Sequence, residues 1–266
     1  MRRRFSRRSF SQAALAAFSC GSVLAAGATR GAGVPVAAAS DLKFALDEIA
    51  LAFLRDTDLR VRPVYGSSGN FVRQIEQGAP FELFLSADEE FIFRLADKGL
   101  ARDRGVLYGV GRIVLFVPQG SPMDPASDLS GLRVALEQNP GLRFAIANPE
   151  HAPYGRAAEQ ALRHAGLWEL LRGRLVLGEN VSQAAQFATS GNADGGIFAY
   201  SLALSPAVRG RGRYSLIDAS WHRPLRQRMA LLRNATPAAA RFYDYLQQRA
   251  AREILKRFGF TLPDAG

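Results

Sequence analysis

Short apolar runs alternate with helical stripes from Val34 onward. Val34-Pro35-Val36-Ala37-Ala38-Ala39 holds no polar position and reads as a buried strand. Leu42, Ala45, Leu46, Ile49, Ala50, Phe53 and Leu54 follow at spacings of three and four, the stripe of an amphipathic helix. The unit recurs: a strand at 61–64 leads to a helix at 68–77 closed by Gly78, and a strand at 81–85 leads to a helix at 88–98 closed by Gly99. Strand-helix units in series predict an α/β fold with a mostly parallel sheet flanked by helices. After an apolar run at 113–117, the proline-rich stretch 118–125 reads as a crossover into a second lobe. That lobe has its own units: strand 144–147 with helix 154–164, strand 175–177 with helix 181–189, and strand 196–198 with a short helix. The pattern turns back into a strand near 229–232, and the tail over 237–258 is helical. The pattern thus predicts one lobe from 29–117 plus 232–266 and a second from 118–231.

Composition agrees with a folded chain: of 266 residues, 48% are hydrophobic and 22% charged, which excludes disordered, fibrous and multi-span classes. The net charge of +10 points towards an acidic partner only if it is spread through the fold. It is concentrated at the start, because Arg2, Arg3, Arg4, Arg7 and Arg8 precede the first acid, Asp41. An arginine-rich start, an uncharged stretch over 9–29 and the small residues Ala26-Gly27-Ala28 form the parts of an export signal over 1–28. Ser6-Arg7-Arg8-Ser9-Phe10 resembles the twin-arginine motif, an address rather than an anchor, with an ordinary secretory signal as the alternative. Cys20 is the only cysteine, and Phe18 fits a lipidation motif poorly, so plain cleavage ranks above a lipoprotein. Cleavage after Ala28 leaves a periplasmic chain without thiols, which excludes disulfides, zinc-thiolate sites and cysteine nucleophiles.

The candidate chemistry lies where strands meet helices. Ser40 follows Ala37-Ala38-Ala39 and opens a helix; Ser67 and Ser68, in Gly66-Ser67-Ser68-Gly69, open the next. A helix start offers unpaired N–H groups and a partial positive charge, hydroxyls add donors, and ligands of open α/β sheets bind beyond the carboxyl ends of strands. The plainer alternative is that these serines are N-caps. A third start, Asn148-Pro149-Glu150-His151-Ala152-Pro153-Tyr154-Gly155, enters its helix through a loop stiffened by two prolines.

These segments, with Gln74-Ile75-Glu76-Gln77-Gly78-Ala79-Pro80, Leu83-Phe84-Leu85-Ser86-Ala87-Asp88 and the tail from Phe242 to Phe260, resemble the periplasmic molybdate-binding proteins of ABC transporters. The similarity runs from about Val34 to Phe260. It implies a two-lobed periplasmic binding protein of type II with a dianion held between the lobes. Position by position, the implied ligand residues are Ser40, Ser68, Tyr154 and Val181, the last two through backbone N–H groups. The Tyr154 hydroxyl, Ser67 and Asp41 are further candidates. Where many members end a strand Gly-Ile-Val-Tyr, this chain has Gly196-Ile197-Phe198-Ala199-Tyr200, so the position falls on Ala199 and the tyrosine one residue later. No cofactor is implied; the metal arrives as an oxyanion, and the partner is an inner-membrane permease served by a monomer.

A fully ionised tetra-oxo dianion only accepts hydrogen bonds, so donors alone satisfy it, whereas a phosphate that keeps a proton needs an acceptor. Asp41 reads as a first-turn aspartate serving the helix dipole. Two alternatives stand beside molybdate: another tetrahedral oxyanion such as sulfate, which differs in size, and a serine hydrolase. The hydrolase needs a histidine base. Of His151, His164 and His222, only His151 lies near the expected cleft, and Gly66-Ser67-Ser68-Gly69 is not the nucleophile-elbow motif. Arg209, Arg211, Arg213, Arg223, Arg226 and Arg228 read as a solvated face or a permease-docking surface, not a nucleic-acid contact.

Overall fold

The computed structural model describes residues 33–263; the predicted export signal and Cys20 lie outside the described residues. In chain order the elements are β1 (Val34–Ala39), a 3-10 turn (Ser40–Leu42), α1 (Lys43–Thr57), β2 (Val61–Gly66), α2 (Ser68–Glu76), β3 (Leu83–Ser86), α3 (Glu89–Asp97), β4 (Val106–Gly111) and β5 (Ile113–Pro118). There follow α4 (Ser130–Gln138), β6 (Phe144–Ala147), α5 (Pro153–His164), α6 (Trp168–Leu171), β7 (Leu175–Gly178), α7 (Val181–Thr189), β8 (Gly195–Ala199), α8 (Tyr200–Ala203) and β9 (Gly212–Leu216). A second 3-10 turn (Ala219–Trp221), β10 (Leu225–Leu231), α9 (Pro237–Leu246) and α10 (Arg249–Arg257) complete the described chain. None of the described helices is long and apolar enough to cross a membrane.

Two five-stranded mixed sheets result, ordered β2-β1-β3-β10-β4 and β7-β6-β8-β5-β9. We call each sheet with its flanking helices a lobe. In the first, β2, β1 and β3 are parallel, and β10 runs against both β3 and β4. In the second, β7, β6 and β8 are parallel, and β5 runs against β8 and β9. The reversed strand of each sheet is the one that has just crossed from the other lobe.

This pairing moves the expected boundaries. β5 belongs to the second sheet, not to a first lobe ending at 117, and β10 belongs to the first, not to a second lobe ending at 231. The crossings fall at Arg112, between β4 and β5, and in the stretch between β9 and β10. Hydrophobic pattern identified β5 and the end of β10 as strands but carried no information on the sheet each joins, because every residue from Ile113 to Val117 is buried wherever the strand pairs. The proline-rich 118–125 is a connection within the second lobe.

Elements that the pattern missed are β4, α4, α6 and β9. β4 has glycine at positions 109 and 111, and β9 has only partly buried or exposed positions, so neither presents a clear apolar run. The tail is two helices broken at Gln247 and Gln248 rather than one. The helix stops at Gly78 and Gly99 hold, with φ of +88° and +66°, the left-handed conformation that glycine adopts without steric cost.

Each sheet is covered on both faces. In the first, Val36, Ala38, Leu85 and Met229 pack with Leu46, Phe53, Phe242 and Tyr245, where the Phe53 ring lies 4.9 Å from Phe242 and 5.2 Å from Tyr245. Ala37, Phe84 and Ala230, one step along in the period of two, face Phe71 and Ile92. The second core gathers Phe116, Phe144, Ile146 and Phe198, together with Ala39 and Ala87 from the first lobe.

Candidate functional site

The strand ends β1, β2, β6 and β7 deliver four helix or 3-10 starts. At the first, Ala39 precedes the turn with no side-chain cap, so the Ser40 hydroxyl is not an N-cap. Ser40 is buried; its Oγ accepts the Ser182 N–H at 3.2 Å, and its carbonyl accepts the Ser182 hydroxyl at 2.9 Å. At the second start the cap is Ser67, whose Oγ accepts the Asn70 N–H. Ser68 is therefore the first helical residue, buried, with its Oγ accepting the Ala87 N–H at 3.0 Å. An oxygen that accepts in this way keeps its own O–H free to donate elsewhere.

The other two starts belong to the second lobe. Pro153 opens α5 and Tyr154 follows; Asn180 caps α7 by accepting the Gln183 N–H at 3.1 Å, and Val181 is its first residue. First-turn amides such as those of Tyr154 and Val181 have no intrahelical acceptor and lie at the positive end of the helix. Both starts sit hard against the preceding strands. A Cβ on Gly155 would lie 2.2 Å from the Ala147 carbonyl oxygen, and one on Gly178 would lie 2.6 Å from the Ala184 nitrogen, so glycine is what permits each approach.

Asp41 does not serve as a solvated first-turn aspartate. It is buried, and its Oδ2 accepts from the Tyr154 hydroxyl at 2.9 Å and from Gln227 Nε2 at 2.7 Å. Gln227 Oε1 in turn accepts from the Tyr108 hydroxyl at 2.6 Å. Asp41 Oδ1 has no hydrogen-bond partner among the described residues. Burial pushes the Asp41 carboxyl up to about 6, against the lowering effect of the Gln227 and Tyr154 bonds. Burial, followed by the nearby Asp41 charge, raises the Tyr154 and Tyr108 hydroxyls well above their ordinary value. The Tyr154 hydroxyl is thus engaged between the lobes. Ala199 ends β8 without a side-chain donor, and the Tyr200 ring packs beside Tyr214 and Gly259 rather than towards the serines.

The lobes meet at these starts. Ser182 on α7 holds Ser40, Ser201 on α8 donates to the Asp41 carbonyl at 2.8 Å, and the Gly69 N–H donates to the His151 carbonyl at 3.0 Å. Arg156 bonds Asp88 across the gap at 2.5 Å. The sequence reading missed Ser182, Ser201, Gln227 and Glu179. Gln227 left a trace, since it is the polar member of the inward series Leu225, Gln227, Met229 in β10, but an arginine-rich strand hides it. In that strand Arg226 and Arg228 both pair with Glu89, so two of the arginines read as solvated are tied down. His164 is exposed and stacks on Trp221 at 4.5 Å, while His222 is buried against the Arg223 carbonyl. Among the described residues no group of three or more His, Cys, Asp or Glu is placed to hold a metal ion.

Two mixed sheets joined by two crossings, with helix starts facing one another between them, define a two-lobed solute-binding protein. The chain matches the family of bacterial extracellular solute-binding proteins over residues 34–261 and belongs to it. It is 35% identical to the molybdate-binding protein ModA of Azotobacter vinelandii over 91% of this chain and 95% of that one. It is 36% identical to ModA of Rhodobacter capsulatus over 80% and 82%. The solved Azotobacter vinelandii periplasmic molybdate-binding protein superposes with a TM-score of 0.79 at 30% identity, covering 87% of this chain and all of that one. The sulfate-binding protein SubI of Mycobacterium tuberculosis, at 18% identity and a TM-score of 0.70, shares the fold.

Proposed function

We propose that this protein binds molybdate between its lobes outside the cytoplasm and delivers it to the permease of an ABC transporter. The observation that supports the reading is that the starts bearing Ser40, Ser68, Tyr154 and Val181 are tied to one another, through Ser182 to Ser40, Gly69 to His151 and Tyr154 to Asp41, which makes two hydroxyls and two first-turn amides the candidate donors. Such donors match an oxyanion that only accepts. Asp41 Oδ2 is engaged by Tyr154 and Gln227 while Oδ1 is unpartnered, so it is the titration below that separates a dianion from a protonated phosphate. The similarity to ModA proteins over nearly the whole chain selects molybdate among tetrahedral dianions. Tungstate, of the same shape and charge, is expected to bind as well. The reading includes a periplasmic location reached through the twin-arginine signal, a monomer, no cofactor and no nucleic-acid partner.

Calorimetric titration with molybdate, tungstate, sulfate and phosphate tests it. Tight binding of the first two is expected; equal or stronger binding of sulfate or phosphate overturns the assignment. The row Ser67, His151, Glu179 contains the members of a nucleophile-base-acid set, but Ser67 Oγ is the cap of α2 and Ser68 has no histidine partner. The chain is accordingly read as a carrier and not a hydrolase, and absence of ester turnover is the expected result.

A further inference from the structure

Four residues next to the proposed donors form a ring of polar contacts, closed through the Asn70 backbone N–H, that uses none of them. Ser67 Oγ lies 2.9 Å from His151 Nδ1; with the ring proton on Nε2, the hydroxyl donates to Nδ1 while its oxygen caps α2. His151 Nε2 lies 3.5 Å from Glu179 Oε2, an ion-pair contact and not a hydrogen bond. The other oxygen of Glu179 accepts from the Asn70 side-chain amide. Ser67 and Asn70 sit on the first turn of α2 in one lobe, while His151 and Glu179 sit in the loops before α5 and α7 in the other. The ring is graded from inside to outside: Ser67 and His151 are buried, Asn70 is half-buried and the Glu179 side chain is 58% exposed. Beside it the Gly69 N–H reaches the His151 carbonyl, and a Cβ on Gly69 would lie 2.6 Å from that oxygen.

We infer that Ser67, His151, Glu179 and Asn70 act as a clasp at the rim of the cleft that holds the lobes shut and sets how long the ligand stays. The inference rests on the carrier reading above. Ser67 adjoins Ser68, His151 lies three residues before Tyr154, and Glu179 lies two before Val181, so the ring locks three of the four donor-bearing starts together. Because its polar groups answer one another, the ring contributes only when the lobes meet. It therefore slows opening and leaves capture unaffected. Its members are positioning residues that do not touch the ligand.

Glu179→Ala is the test, since it removes an exposed side chain that accepts from Asn70 in one lobe and lies beside His151 in the other. Release of radiolabelled molybdate, followed by rapid filtration, should become about 3- to 10-fold faster, with the association rate and the thermal midpoint unchanged. Asn70→Ala should give a similar increase, and combining the two should add little, as for members of one network. A further readout needs no ligand. Gly69 is the second residue of α2, where an amide has no intrahelical acceptor, so slow hydrogen exchange there reports the bond to His151. Exchange should quicken in Glu179→Ala. Unchanged release in a variant that still binds molybdate, or fully additive effects, overturns the clasp and leaves the carrier reading standing. If the parent protein does not bind molybdate, that reading falls, and a Gly69 amide that exchanges equally fast in parent and variant overturns the clasp as well.

Discussion

The two lobes offer the proposed ligand different chemistry from the same topology. Each sheet presents helix or 3-10 starts at the ends of parallel strands, yet in the proposed site the first lobe would contribute hydroxyls, from Ser40 and Ser68, and the second backbone amides, from Tyr154 and Val181. The first lobe's donors depend on which side chain is present. Those of the second depend on where the backbone runs, which is why its starts are preceded by rigid or capped loops: Pro149 and Pro153 before α5, and Asn180 capping α7. The lesson is that the two halves of one site should be vulnerable to opposite kinds of substitution.

The largest effect is expected from adding an atom in the second lobe. Gly155→Ala forces a Cβ to 2.2 Å from the Ala147 carbonyl and must shift the start of α5. It should lower stability by about 2–3 kcal/mol in chemical denaturation and weaken molybdate binding through the displaced Tyr154 amide. Removing an atom in the first lobe comes next. Ser40→Ala and Ser68→Ala should each cost about 1–3 kcal/mol of binding in calorimetry, the penalty for a buried acceptor left short of a donor. Normal binding by both would break the comparison and move the site elsewhere.

A third test uses pH to probe the seam where Asp41 of the first lobe meets Tyr154 of the second. In the folded protein Asp41 holds its proton more tightly than in the unfolded chain, because burial raises its carboxyl to about 6. The stability it contributes is fully present below the ordinary carboxylate range and is lost as pH rises through about 6. Denaturation of the ligand-free protein should therefore show stability falling between about pH 4 and pH 7 by roughly 1–3 kcal/mol, and Asp41→Asn should flatten that fall. Glu76 acts in the opposite sense and at lower pH: the Arg94 hydrogen bonds, then Lys98, lower it to about 2, so its contribution is present above the ordinary range and lost on acidification. The two windows overlap only around pH 4. An Asn variant with the same pH profile as the parent would remove Asp41 from the account.

The smallest effect sharpens the comparison most. Val181→Ala trims a side chain but keeps the first amide of α7, so molybdate affinity should change by less than about 0.5 kcal/mol, far less than for either serine. A loss as large as that of Ser40→Ala would mean that the second lobe also recognises through side chains.

Much of this was legible along the chain, and for definite reasons. Strand β1, helices α1, α2, α3, α5 and α7 and the left-handed stops at Gly78 and Gly99 follow from local periodicity and backbone preference, which neighbours in sequence are enough to impose. The serine pairs and the double-proline loop stand at strand-helix junctions for the same reason. Of the two adjacent serines, Ser67 caps α2 and Ser68 does not, because which hydroxyl folds back depends on where the chain turns, and the sequence is compatible with both.

By itself, then, the sequence determined the alternation of strands and helices, the placement of donors at helix starts and membership of the solute-binding family, since each is written in short-range pattern or in extended similarity. Only the tertiary structure decided that β5 and β10 exchange sheets, that Asp41 turns to Tyr154 and Gln227 instead of water, and that Ser67, His151, Glu179 and Asn70 close into one ring. Apart from His151 and Glu179, these are contacts between segments more than fifty residues apart, and their partners are set by how the two sheets come to face each other, a relation that no local pattern of apolar and polar residues encodes.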